Sequence, residues 1–256
     1  MRVVVKVGSA VLTQDNEIAL KRMQSLVDFI SQLRDKHEVI LVSSGAVAGG
    51  YTKIQLDRSI LANKQALAAI GQPVLMNKYI KKFAQHNIVT AQVLVTAANL
   101  NKSDDVKRVK ATVETLLKNN VIPIVNENDA TATDELEVGD NDQLSAYITK
   151  NTDSDILIIL SDIDAYYDKD PREHLDAKTL KIVNHIKSSE LQKAVTPNNL
   201  FATGGIVTKL KAAAYLLKAD KDVFLASGFD LSDVKSFMLD GIHKGGTLFT
   251  TKGWKK

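Results

Sequence analysis

Short apolar runs alternate along this chain with longer segments in which apolar residues recur at every third or fourth position. A short apolar run between turn-forming residues predicts a buried strand, and the wider spacing predicts a helix with one buried face. Such alternation is typical of an α/β fold, with a mostly parallel sheet and helices on both of its faces. The predicted strands cover residues 2–7, 38–42, 88–96, 121–125, 156–160, 221–228 and 245–250, and the predicted helices cover 17–36, 59–84, 102–118, 142–150, 206–220 and 231–240.

Two segments depart from this regular pattern. The second predicted helix is interrupted at residues 71–73, because glycine and proline both disfavour a helix interior. Residues 163–174 are rich in turn formers and are predicted to form a β-hairpin or a lid. Tyr166 and Tyr167 within that segment could cover a nucleotide base, and they could equally be exposed aromatic residues of a hairpin.

Composition narrows the class of protein. The 256 residues are 45% hydrophobic and 25% charged, which suits one large α/β domain or two small ones. The absence of cysteine excludes disulfides and thiol chemistry. A net charge of +3 and an aromatic content of 5% disfavour a nucleic-acid partner. The longest apolar runs are too short to cross a membrane. A cytoplasmic enzyme without a membrane or nucleic-acid partner is therefore expected.

The most distinctive segment is an acidic, asparagine-rich loop. Residues 126–142 read NENDATATDELEVGDND and come directly after the predicted strand at 121–125. Ligands of open α/β sheets bind at the carboxyl ends of the strands, so this loop is a candidate binding element. An acidic loop can also be merely solvated. The binding interpretation is favoured because other predicted strand ends carry related chemistry.

Two glycine-containing strand ends suit the binding of an anion. Lys6 is the last residue but one of the first predicted strand and Gly8 follows that strand, so a point charge lies close to backbone that an anion can approach. Residues 43–50 read SSGAVAGG and could cradle an anion with backbone N–H groups. This run matches neither the P-loop nor the dinucleotide fingerprint. The alternatives are a lysine at the sheet edge and an ordinary strand–helix turn.

Two further segments continue this pattern in the second half of the chain. Ser161 and Asp162 end the fifth predicted strand. A Thr-Gly-Gly turn at residues 203–205 opens a helix that carries Lys209 and Lys211, which again suits a phosphate group. An ordinary helix start with solvated lysines is the alternative.

Six motifs occur together in this order: KVGS, VSSGAVAGG, IPIVNENDA, VGDND, LSD and TGGIVTKLKAA. Together they resemble the amino-acid kinase family and, within it, the glutamate 5-kinase branch, over residues 2–249. The resemblance implies a three-layer sandwich formed by one domain over residues 1–256. Its N-terminal part would lie mainly on the glutamate side and its C-terminal part mainly on the ATP side. Many members carry an additional C-terminal PUA domain, and this chain resembles the short form.

The resemblance also implies an activity. It is the ATP-dependent phosphorylation of the γ-carboxylate of L-glutamate, the first step of proline biosynthesis, with feedback inhibition by L-proline. Since a glutamate side chain has a pKa of about 4.3, the nucleophile is already ionised and needs no general base. The implied partners are a second copy of the chain, in a dimer or tetramer, and glutamate-5-semialdehyde dehydrogenase, to which the product is handed.

Site residues carry over from the motifs that match. The implied catalytic residues are Lys6, Lys209 and Asp142, with Asp142 holding the two lysines and helping to place Mg²⁺. No cluster of metal ligands is expected, because Mg²⁺ is usually coordinated by substrate phosphates and few protein ligands. The implied ATP-binding residues are Lys6, Gly8, Ser161, Asp162, Thr203, Gly204, Gly205, Ile206, Val207, Thr208 and Lys209, and the implied substrate-binding residues are Ser44, Gly45, Asp129 and Asn141.

Two other functions are compatible with the same motifs. One is a different carboxylate or carbamate kinase, and the other is a catalytically silent amino-acid sensor. The presence of Lys6, Lys209 and Asp142 favours a kinase over a sensor.

Overall fold

The computed structural model describes residues 1–15, 17–96, 99–100, 102–131, 141–192 and 205–252. Its strands are β1 (Arg2–Val7), β2 (Thr13–Gln14), β3 (Glu17–Ile18), β4 (Glu38–Ser43), β5 (Thr90–Val95), β6 (Ile122–Glu127), β7 (Ile156–Ser161), β8 (Ile182–Val183), β9 (Asp222–Ser227) and β10 (Thr247–Phe249). Its helices are α1 (Ser9–Leu12), α2 (Leu20–Arg34), α3 (Ala46–Tyr51), α4 (Leu61–Ala84), α5 (Ser103–Lys118), α6 (Asn141–Asn151), α7 (Ser188–Leu191), α8 (Ile206–Leu217) and α9 (Ser232–Asp240).

A single large sheet organises these elements. Its strand order is β5-β6-β4-β1-β7-β9-β10-β8, and β2 and β3 form a separate small hairpin. The pairings from β5 to β9 are all parallel, whereas β10 runs antiparallel to β9. The prediction of a mostly parallel α/β sheet is confirmed. The six strands β5, β6, β4, β1, β7 and β9 run in one direction, so their carboxyl ends meet at one edge of the sheet.

Alternation along β1 determines which helices its residues face. Val3, Val5 and Val7 pack in one core cluster with α2, α4 and α9, and Val4 packs in a second cluster with α6 and α8. Successive strand residues point to opposite faces, so Lys6 shares the face of Val4. Helices on both faces of the sheet give the predicted three-layer sandwich. Because Lys6 shares the face of Val4, its side chain is directed toward α6 and α8.

The predicted interruption of the second long helix is wrong. α4 runs without a break through residues 71–73, with Pro73 inside it, although proline removes one helical hydrogen bond. The reason is close packing against α3. A Cβ atom at Gly71 would lie 1.7 Å from the carbonyl oxygen of Ala46, and one at Gly50 would lie 1.9 Å from that of Leu67. The glycines therefore serve the contact between the two helices.

Three smaller differences concern segment ends. β6 runs two residues beyond the predicted strand, which takes Asn126 and Glu127 into the sheet. The small hairpin of β2 and β3 occupies the start of the helix predicted at residue 17. The predicted hairpin at 163–174 is instead a longer loop, closed by one antiparallel bridge between Tyr167 and Thr179. None of the described helices is long and apolar enough to cross a membrane.

Candidate active site

Two lysines and one aspartate meet inside the protein, close to the carboxyl edge of the sheet. Lys6 comes from β1, Asp142 from the first turn of α6 and Lys209 from the first turn of α8. The Lys6 ammonium donates to Asp142 Oδ1, and the Lys209 ammonium lies 3.1 Å from Asp142 Oδ2. Asp142 is fully buried and each lysine is only 4% exposed. We call these three side chains the lysine–aspartate cluster.

The lysine–aspartate cluster carries a net charge of +1. Burial alone would raise the pKa of Asp142, but the charges of Lys209 and Lys6 outweigh burial and hold that pKa below its usual range. Buried charges are costly unless they are paired and hydrogen-bonded. An anion bound beside the cluster would balance its surplus positive charge. The arrangement therefore suits a phosphoryl group.

Local structure holds Asp142 in this position. A carboxylate in the first turn of a helix is favoured by the helix dipole, and Asp142 occupies that turn in α6. The Thr208 hydroxyl lies 2.8 Å from Asp142 Oδ2 and 3.0 Å from the carbonyl oxygen of Gly205. Ser145 donates a hydrogen bond of 2.7 Å to the backbone carbonyl of Asp142. Both carboxylate oxygens of Asp142 are thus engaged by donors.

Gly8 contributes space and no free donor. Its N–H group donates to the carbonyl oxygen of Leu160 at 3.1 Å, so it does not offer the backbone donor expected from the sequence. A Cβ atom at Gly8 would lie 3.8 Å from the Lys6 ammonium nitrogen. Because glycine has no side chain, the space beside the Lys6 ammonium group contains no Cβ atom from residue 8.

The remaining predicted ATP-site residues that the structure describes lie on β7 and α8 or next to them in the chain. Ser161 ends β7 next to β1, and its hydroxyl donates to Asp162 Oδ1 at 2.9 Å. Gly205 immediately precedes α8. Val207 is buried in the core, so only its backbone is available to a ligand, whereas Ile206 is partly buried against the core. Thr203 and Gly204 lie outside the described residues.

A chain of side-chain amides leads from α6 across the site. Asn141 donates to Ser44 Oγ at 2.7 Å and to Asn126 Oδ1 at 3.1 Å. Asn126 donates to Gln72 Oε1 at 2.9 Å, and Gln72 donates to Gln92 Oε1 at 3.0 Å. We call this chain of four amides, from Asn141 to Gln92, the amide relay. It joins Ser44 and Asn141, two of the predicted substrate residues, to β6, α4 and β5.

Gly45 and Asp129, the other predicted substrate residues, lie near this chain. Gly45 precedes α3 with a positive φ of 106°, a conformation that glycine adopts readily. Asp129 lines a cavity of ≈ 170 Å³ together with Ala46, Gln72 and Glu127. Burial raises the pKa of Asp129 to about 6, and no neighbour among the described residues counteracts it. A cationic ligand group would stabilise this carboxylate.

Gln72 and Asn126 were missed at the level of sequence. Gln72 fell in the segment predicted to interrupt a helix, yet its spacing to Leu75 and Tyr79 places it on the buried face of α4. The sequence predicts Asn126 at the start of a loop, whereas it is the fifth residue of β6 and only 1% exposed. A polar residue on an apolar helix face was the signal that could have found Gln72.

Comparison with known proteins was made on sequence and on structure. The sequence profile of the amino acid kinase family matches residues 1–227. Glutamate 5-kinase of Wolinella succinogenes is 52% identical, over 98% of each chain. Glutamate 5-kinase of Leishmania donovani is 48% identical, over 98% of this chain and 95% of its own. The product complex of isopentenyl phosphate kinase from T. acidophilum has a TM-score of 0.68 at 16% identity, over 97% of this chain and 100% of its own, which is a likeness of fold.

Proposed function

This chain belongs to the amino acid kinase family, and we propose that it transfers the γ-phosphoryl group of ATP to the side-chain carboxylate of L-glutamate. The products are L-glutamyl 5-phosphate and ADP. The observation that carries the proposal is the lysine–aspartate cluster at the carboxyl edge of the sheet, where two ammonium groups converge on one buried carboxylate. The identity of 48–52% with glutamate 5-kinases over nearly the full chain supports glutamate as the acceptor.

The reaction needs alignment and charge neutralisation more than acid–base chemistry. A γ-carboxylate oxygen forms the new bond to phosphorus, the bond from phosphorus to the bridging oxygen of ADP breaks, and no proton moves. Negative charge on the transferred group is then the main barrier. Lys6 and Lys209 would supply fixed positive charge to that group. Both ammonium groups are held by Asp142, so they need no reorganisation during transfer.

Asp142 acts as the residue that positions the lysines. Its Oδ1 atom accepts from Lys6 and its Oδ2 atom from Lys209, with Thr208 beside the latter. No group of three or more acidic or histidine side chains within the described ranges is arranged to hold a metal ion. We propose that Mg²⁺ enters on the phosphates of ATP, which is its usual mode in kinases. Bound there, it would neutralise phosphate charge.

The two halves of the site are proposed to bind different substrates. Ser44, Gly45, Asp129 and Asn141 would hold glutamate, with the Asp129 carboxylate near the α-ammonium group. The N-terminal part of a single domain over residues 1–256 would then serve mainly glutamate, and the C-terminal part mainly ATP. The proposed ATP contacts, besides the two lysines, are Gly8, Ser161, Asp162, Thr203, Gly204, Gly205, Ile206, Val207 and Thr208.

The regulation and partners implied by the family are proposed as well. L-Proline keeps the α-carboxylate and a cationic nitrogen but lacks the reacting carboxylate, so it should compete with glutamate for one pocket. An acyl phosphate is exposed to hydrolysis once it is released. Rapid use by glutamate-5-semialdehyde dehydrogenase in the cytoplasm is therefore part of the proposal, as is assembly of the chain into a dimer or tetramer.

ADP release and hydroxamate trapping test the proposed reaction. The purified protein should release ADP with glutamate in preference to aspartate, N-acetylglutamate and carbamate, and hydroxylamine should trap the glutamyl phosphate. A higher kcat/KM for another acceptor would assign a different kinase activity. Binding of glutamate with no ADP release would instead assign an amino-acid sensor.

A further inference from the structure

The hydrogen bonds of the amide relay run in one direction, from donor to acceptor, and a sequence cannot reveal this direction. In an asparagine or glutamine side chain, the oxygen only accepts and the nitrogen only donates hydrogen bonds, and the two ends are assigned from their partners. Asn141, Asn126 and Gln72 are joined at 3.1 and 2.9 Å. Asn126 and Gln72 are buried, at 1% and 8% exposure, so water is largely kept from them. Each amide must therefore find its partners within the protein.

One backbone group sets the direction of the whole relay. The N–H group of Glu127 lies 2.9 Å from one end of the Asn126 amide, and a backbone N–H can only donate. That end of Asn126 is therefore its oxygen, Oδ1. The Asn141 atom that lies 3.1 Å from it must then be the amide nitrogen. At its other end, Asn126 presents the nitrogen, which requires an oxygen from Gln72 at 2.9 Å.

This direction decides what Asn141 can offer to a ligand. Its amide nitrogen carries two hydrogens, and these are directed to Asn126 Oδ1 and to Ser44 Oγ. Its carbonyl oxygen, Oδ1, is buried and has no hydrogen-bond partner within the described part of the chain. Asn141 thus has an acceptor to spare and no donor. Ser44 accepts from Asn141 and keeps its own hydroxyl hydrogen for donation.

We propose that Gln72 is a positioning residue for substrate selection: by holding Asn126 in the orientation that the Glu127 N–H group sets, it keeps the carbonyl oxygen of Asn141 presented to the α-ammonium group of glutamate. The Ser44 hydroxyl then serves a substrate carboxylate. In this assignment, Asn141 accepts a hydrogen bond from the substrate and donates none to a substrate carboxylate. It rests on the proposed function, because it takes glutamate as the ligand. The oxygen of Gln72 accepts from Asn126 and its nitrogen donates one hydrogen to Gln92, so Gln72 is joined to Asn141 through Asn126.

The proposal predicts how two substitutions of Gln72 should differ. Gln72→Met keeps the length and flexibility of the side chain but removes the acceptor for Asn126. Gln72→Glu keeps that acceptor, and when protonated it can also donate to Gln92 as glutamine does. Only the methionine variant should therefore loosen Asn126 and, through it, Asn141. The glutamate variant is the matched control.

Binding of glutamate and glutarate, measured by calorimetry without nucleotide, tests the proposal. Glutarate has both carboxylates of glutamate but lacks the α-ammonium group. The wild-type protein and Gln72→Glu should prefer glutamate strongly, and Gln72→Met should lose about tenfold of that preference, the size of one hydrogen bond to a charged group. The loss should lie in weaker glutamate binding, with glutarate binding unchanged. In turnover assays, the glutamate KM should rise while kcat stays within about twofold.

Each outcome decides between the proposal and its alternatives. Equal losses for glutamate and glutarate in Gln72→Met would mean general damage to the pocket, and unchanged preference would mean that Gln72 is not involved; both overturn the proposal. Equal binding of the two ligands by the wild-type protein would overturn it as well. Selective glutamate binding without ADP release would refute the kinase activity and leave the role of Gln72 standing. Binding of neither ligand would overturn both.

Discussion

The two sides of this site are built from different chemistry. On the proposed phosphoryl side, two ammonium groups and one carboxylate are packed together with almost no exposure to water. On the proposed glutamate side, neutral amides are hydrogen-bonded in a row, and the Asp129 carboxylate is left without a cation among the described residues. Fixed charge is suited to a transferring group whose charge must be neutralised in the transition state. Neutral amides are suited to orienting a ligand in its ground state.

This difference predicts which kinetic constant each side controls. Interactions that strengthen only in the transition state raise kcat, whereas equal binding of substrate and transition state changes KM alone. Substitutions in the lysine–aspartate cluster should therefore lower kcat. Substitutions around Asp129 and the amide relay should raise the glutamate KM.

The largest expected effect on stability comes from Asp142→Ala. It would leave two buried lysines without their carboxylate, and breaking a buried ion pair in this way typically costs about 3–5 kcal/mol. Urea unfolding should show this loss. The matched control is Asp104→Ala, which removes an aspartate from the first turn of α5 whose pairing with Lys107 is exposed. Exposed pairs contribute about 0–1 kcal/mol. Similar losses in the two variants would contradict a buried, mutually dependent cluster.

Asp129→Asn should have the next largest effect. The change keeps the shape of the side chain but removes the charge that we assign to the α-ammonium of glutamate. A hydrogen bond to a charged group contributes about 1.5–3 kcal/mol, so the glutamate KM should rise roughly tenfold to a hundredfold. The ATP KM and kcat should change little. A variant that keeps its glutamate KM and loses affinity for ATP would place Asp129 on the wrong side of the site.

The pH dependence of glutamate use should show a smaller effect from the same residue. Burial raises the pKa of Asp129 to about 6, and only its ionised form attracts an ammonium group. In wild-type protein, kcat/KM for glutamate should therefore fall as pH drops through about 6, approaching tenfold per pH unit. The acceptor carboxylate, with a pKa of about 4.3, stays mostly ionised in this range. Asp129→Asn should abolish the step near pH 6; its persistence in that variant would assign it to another group.

The sheet could be predicted from the sequence because strands such as β1 are short apolar runs. On the charged side of the candidate site, Lys6 stands out as a charge near the end of an apolar strand, whereas the pairing of Asp142 with the two lysines was implied only by the family resemblance. The amide relay was not captured, because Gln72 and Asn126 are neutral and lie inside regular elements. Their role depends on which atoms face each other, and that geometry arises only when α4, β6 and α6 pack together. The break predicted at residues 71–73 failed likewise, because contact with α3 outweighs local helix propensity.

Two lysines of α8, Lys209 and Lys211, differ in burial although the sequence predicts the same role for both. Lys209 is buried against Asp142, whereas Lys211 in the same helix is exposed. The two residues have the same chemistry and nearly the same position along the chain. They differ in whether packing places the ammonium group beside the site.

Glutamate saturation curves for Lys209→Ala and Lys211→Ala, with saturating ATP, test most directly whether the lysine–aspartate cluster drives phosphoryl transfer. We expect Lys209→Ala to lower kcat by roughly 10²–10³ with little change in the glutamate KM, as for loss of one donor to transition-state charge. Lys6→Ala should match it, and Lys211→Ala should stay near wild type. A near-normal kcat in Lys209→Ala, or equal losses in Lys209→Ala and Lys211→Ala, would contradict this role.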